Sequence, residues 1–135
     1  MNYELIKDLN FKNPGYLRVG QEWFVWIEDE YLRCMVGSVR LIDTMRQVTF
    51  YSFAYSKTYV INFNHNDNLE HLLYIPSVED LITSLKNIII RERDNFSEIL
   101  YVRDGKARMS YYSTNLRETL IKIQIAVNKN EKNKN

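Results

Sequence analysis

The chain has 135 residues, of which 45% are hydrophobic and 26% charged, with a net charge of +1. This length suits one domain that buries about two-thirds of its unfolded surface, and the composition excludes a wholly disordered chain. Near-neutrality excludes strong whole-molecule steering toward nucleic acid, and a single cysteine, Cys34, excludes an internal disulfide or a thiolate zinc cluster.

The first dozen residues place Leu5, Ile6 and Leu9, then Phe11, at a weak helical spacing before Asn13-Pro14-Gly15 interrupts the chain. The start lacks the basic end and apolar run of a signal peptide, and no stretch reaches the ~18 apolar residues of a membrane span. The sequence therefore reads as cytoplasmic. Tyr16–Ile27 reads as one long strand or two broken near Gly20, being rich in aromatic and β-branched residues. Glu28-Asp29-Glu30 has hairpin-gap length, and Tyr31–Val36 returns with Leu32, Cys34 and Val36 on one face.

Residues 39–45 fit either period. Val48–Tyr55 and Thr58–Phe63 read as two strands around Ser56-Lys57, and 64–68 as a polar loop. Leu72–Ile75 is a short strand. Ser77, with Asp80 three residues on, marks a helix start. Val78, Leu81, Ile82, Leu85, Ile88 and Ile89 then form an apolar stripe, with Arg91 and Arg93 near its end.

Ile99–Arg103 and Lys106–Tyr112 flank Asp104-Gly105, a pair suited to a type I′ turn. That register pairs Val102 with Ala107 and Leu100 with Met109 toward the core, and Tyr101 with Arg108 and Arg103 with Lys106 outward. Asn115 and Glu118 signal a second helix over 116–127, although Ile121, Ile123, Ile125 and Val127 also alternate as a strand would. Residues 129–135 contain only Lys, Asn and Glu and read as a disordered tail. The expected architecture is α+β: one domain over 1–128, mainly an antiparallel sheet of five to seven strands, with two helices from the C-terminal half.

No nucleotide-loop, metalloprotease, paired-cysteine, nucleophile-elbow or EF-hand motif occurs. His65, Asp67 and His71 are too few and too irregularly spaced for a known metal set, so no metal or cofactor is expected. They remain the place where a small enzyme or ligand carrier would be sought. Cys34 on an apolar face reads as a small hydrophobe. Tyr101, Arg103, Lys106 and Arg108 combine guanidinium and ammonium groups with a ring, the composition of single-strand-binding sheets, and 8 basic residues against 3 acidic ones follow from Arg103 onward.

Glu28, Asp29 and Glu30 would meet a basic protein partner. The ring-rich run from Phe50 to Phe63 must bury one face and can leave the other exposed. The balance is against an enzyme. It favours a non-enzymatic protein-interaction module, of the kind found among accessory proteins and inhibitors of mobile genetic elements. Self-association is a variant, and nucleic-acid binding is the alternative.

Overall fold

In a computed structural model, which describes residues 1–64, 69 and 71–132, contacts gather the chain into two compact units, Met1–Ile75 and Pro76–Asn135. No Gly- or Ser-rich linker marks that boundary, so composition gave no sign of it.

In the first unit the Asn2 side chain accepts from the Leu5 amide at 2.9 Å and starts α1 (Tyr3–Leu9), whose buried side is Ile6 and Leu9. Five antiparallel strands follow: β1 (Glu22–Ile27), β2 (Glu30–Ile42), β3 (Met45–Ser52), β4 (Lys57–Asn64) and β5 (Leu73–Ile75), in the order β4-β3-β2-β1-β5. Residues 16–21 form no strand. Gly20 sits at φ +93°, outside the extended region, and β1 begins two residues later.

Glu28 and Asp29 both have positive φ, so the β1–β2 connection is a two-residue type I′ turn closed by Ile27 and Glu30. The ambiguous stretch 39–45 resolves as the end of a 13-residue β2, displaced by a bulge between Val36 and Ser38, and a tight turn at Asp43. Period-2 side chains line the core face: Trp23, Val25 and Ile27; Leu32, Cys34 and Val36; Val48 and Phe50. Leu17, Leu69 and Leu72 complete this cluster, and Tyr59, Ile61 and Phe63 of β4 pack at its edge.

In the second unit Ser77 accepts from the Asp80 amide and Asp80 accepts from the Ser77 amide, both at 3.1 Å. This capping box starts α2 (Val78–Leu85). The helix is shorter than its apolar stripe. Lys86, at φ +63°, breaks it, and Ile88 through Glu92 form β6 rather than its last turns. The physical reason lies in Ile88-Ile89-Ile90: β-branched residues lose rotamer freedom in a helix and pack well in a sheet. Here they pair with Tyr101, Leu100 and Ile99.

β7 (Ser97–Arg103) and β8 (Lys106–Ser113) complete a separate three-stranded antiparallel sheet, β6-β7-β8. The last helix, α3 (Leu116–Lys132), is capped by Asn115, which accepts from the Glu118 amide at 3.2 Å. It extends through residues 129–132, which composition assigned to a disordered tail. Leu120, Ile121 and Ile123 are buried, and α3 packs on α2.

Among the described residues the fold is thus α+β with two sheets of five and three strands and three helices, two of them late in the sequence. The single sheet of five to seven strands is corrected: one contiguous run of strand-like residues gives no indication of which strands share a ladder. Among the described residues no helix is long and apolar enough to cross a membrane.

Candidate functional site

Alternation in the five-stranded sheet sends Trp26, Tyr31, Arg33, Met35 and Tyr51 away from the face that carries Trp23 and Phe50. Only part of that second face is covered by α1. Tyr3 stacks on Tyr31 with ring centroids 4.2 Å apart and meets the edge of buried Phe24 at 5.7 Å. Beyond Tyr31 the face is open. Trp26 packs edge-on against Tyr31 at 4.8 Å, the Arg33 guanidinium lies 5.1 Å from the Phe53 ring centroid, and Phe53 meets Tyr51 at 5.8 Å. Trp26, Phe53 and Tyr55 are 53%, 43% and 56% exposed, so the pairs Trp26–Tyr31 and Tyr51–Phe53 each present a ring to solvent. Arg33 is held in place by Glu22 at 2.8 Å.

The acidic tip adjoins this patch. Glu30 accepts a 2.9 Å hydrogen bond from the Tyr55 hydroxyl, which ties the β1–β2 turn to the β3–β4 loop. That bond, together with the carboxylate's charge, raises the Tyr55 phenol above its ordinary value. Glu28, Asp29 and Glu30 are all exposed, and among the described residues none of the three has an ion-pair partner. The ring-rich run therefore divides as alternation requires: Phe50 is buried, Tyr59 packs at the core edge, and Tyr51, Phe53 and Tyr55 lie outside it. Sequence reasoning missed Trp26. Its signal was available, since Trp23, Val25 and Ile27 on one face leave Phe24 and Trp26 on the other.

The basic hairpin is built differently from its expected register. Asp104 and Gly105 do form the type I′ turn, and Arg103 pairs with Lys106. A bulge then intervenes, and Tyr101 pairs with Met109 instead of Arg108. Arg108 is the extra residue that a bulge leaves without a cross-strand partner. Met109 keeps its expected core-side face, that of the buried Ile99, but shares it with Tyr101, while Leu100 and Val102 belong to the other face, the reverse of the expected assignment for these three β7 residues.

Tyr101, Arg103, Met109 and Asn130 line two overlapping hollows beside the end of α3. One of about 260 Å³ adds Asn87, Val127 and Glu131, and one of about 390 Å³ adds Asp104 and Arg108. Tyr101, Arg103 and Arg108 are brought together, whereas Lys106 stands at the turn outside the lining. Two carboxylates, Asp104 and Glu131, stand with two guanidiniums, Arg103 and Arg108, in the lining.

Cys34 is fully buried, and burial alone pushes its thiol up to about 11. A thiol held neutral is a poor nucleophile. His71 is exposed, and His65 and Asp67 lie outside the described residues. Among the described residues no three His, Cys, Asp or Glu side chains gather as a metal group would need. A scan against protein-family models finds no match, and searches of curated proteins and of solved structures find none either.

Proposed function

We propose that this protein is a binding module for another protein. The partner meets the open aromatic face of the five-stranded sheet with an apolar centre, and the acidic tip with a basic rim. The observation that carries this reading is a set of exposed rings, Trp26 against Tyr31 and Phe53 under Arg33, with Tyr55 bonded to the acidic tip through Glu30. Large rigid rings give contact area at low entropic cost and dominate interface hot spots. Unpaired carboxylates at the margin supply orientation and encounter rate more than affinity.

The test is affinity capture from the native source with nuclease present, using wild type and three variants. The reading expects a protein retained by wild type and lost with Phe53→Asp. It should be weakened about tenfold or more by Glu28→Lys with Asp29→Lys, since each lost contact worth ~1.4 kcal/mol is tenfold. Arg103→Ala with Arg108→Ala should retain it. Equal retention by Phe53→Asp and wild type would refute the reading. Partners lost only when nuclease is added, and lost with the two Arg changes, would replace it with nucleic-acid binding through the β7–β8 hairpin.

A further inference from the structure

The β4 edge of the five-stranded sheet carries an inference independent of the aromatic face. Sheet edges in stable monomers are ordinarily blunted by short length, proline, a bulge or a central lysine. β5, at the opposite edge, is three residues long. By contrast β4 has eight residues, pairs with β3 without a bulge from Lys57 to Asn64, contains no proline, and places its only charge at its first position. Among the described residues no strand pairs with its outer side.

The bonding phase of that edge follows from the ladder. The Phe53 amide donates to the Arg33 carbonyl at 3.2 Å, so position 53 turns its backbone toward β2. Backbone direction alternates along a strand, so Ser52, Phe50, Val48 and Arg46 bond to β4. Their partners are Lys57, Tyr59, Ile61 and Phe63. The amides and carbonyls of Thr58, Val60 and Asn62 therefore point outward, unused by the sheet.

We infer that β4 pairs antiparallel with β4 of a second copy, joining two sheets into one about a two-fold axis. The second copy is the occupant that symmetry and charge favour. A two-fold centred on Val60 or on Ile61 places outward-bonding residues opposite outward-bonding ones and core-facing side chains beside core-facing ones; a one-residue slip satisfies neither. Thr58, Val60 and Asn62 carry no charge, and the net charge of +1 does not drive copies apart. Head-to-tail growth is disfavoured because the three-residue β5 offers too short a ladder, so the contact closes as a dimer.

The test is sedimentation equilibrium of the full chain from 1 to 500 μM, with far-UV circular dichroism as the folding control. Wild type should rise from monomer to dimer mass and stop there. Asn62→Pro removes an outward amide without touching the bonds to β3, a position where an edge strand tolerates proline. It should stay monomeric at 500 μM with an unchanged spectrum. Asn62→Lys, a milder block, should weaken the dimer at least tenfold and covers the case in which the proline variant unfolds. Phe53→Asp should leave the dimer intact, which separates this edge from the aromatic face. Monomeric wild type at 500 μM, or a folded Asn62→Pro that dimerises as wild type does, would overturn the inference.

Discussion

Replacing Glu28-Asp29 by Asn-Gly should stabilise the first unit and weaken its binding in the same variant. Both residues occupy left-handed conformations, at φ +50° and +66°. An L residue with a Cβ pays about 1–2 kcal/mol there, with aspartate the more tolerant of the two. Asn-Gly is the preferred pair for this turn. Removing two of three adjacent carboxylates relieves a further few tenths of a kcal/mol of repulsion across high dielectric. The sum is a gain of roughly 1–2 kcal/mol. With a urea slope of about 1 kcal/mol/M for so small a unit, the midpoint should rise by about 1–2 M.

The assay is equilibrium urea unfolding followed by tryptophan fluorescence, because Trp23 and Trp26 both belong to this unit and Trp23 is fully buried. An unchanged or lowered midpoint at constant slope would refute the strain argument. A raised midpoint with unaltered partner affinity would retain the strain argument and remove the tip from the binding surface. The turn at Asp104-Gly105 has the same geometry and carries the favoured glycine at its second position.

Cys34 should resist a thiol reagent in the native protein and react fully in denaturant. Its raised thiol pKa means that the unfolded chain loses this proton first, so stability should fall from about pH 9 to 11, by an upper limit of about 3 kcal/mol; a flat alkaline profile would contradict that. Ser77→Ala removes one arm of the α2 capping box and should cost about 1 kcal/mol, read as a lower unfolding midpoint by circular dichroism. Phe50→Ala, at a fully buried core position, should cost about 3–5 kcal/mol, whereas Phe53→Ala, three residues on and half exposed, should cost only about 1 kcal/mol through its Tyr51 and Arg33 contacts by the same urea assay.

How much was legible depended on whether the information was local. Caps and tight turns were: Ser77 with Asp80, Asn115 with Glu118, and Asp104-Gly105 each act within four residues, and each forms as its chemistry dictates. The strand or helix ambiguity at 116–127 was decided by its cap, and the resulting helix continues past the expected end. Ile88 and Ile89 show the opposite case, since they satisfy the α2 stripe by spacing yet join β6, where partners distant in sequence hold them. The β7–β8 register failed for a related reason. A bulge inserts one residue without any compositional mark, and that single step on β8 moves Met109 from beside Leu100 to beside Tyr101.

The candidate site divides along the same line. Alternation alone separates Trp23 from Trp26 and Phe50 from Tyr51, because side chains in a strand point to opposite faces whatever the fold. The sequence by itself determined the class of most elements, their local caps and tight turns, and the two-sided character of the strands. Which of the two faces is left open was decided only in three dimensions. There α1, seven residues long, covers the Phe24 and Tyr31 end and leaves the Phe53 end exposed. The sorting of eight strands into two ladders belongs to the same level, since the hydrogen bonds that choose a strand's neighbour join backbone groups common to every residue except proline and so leave no trace in side-chain identity.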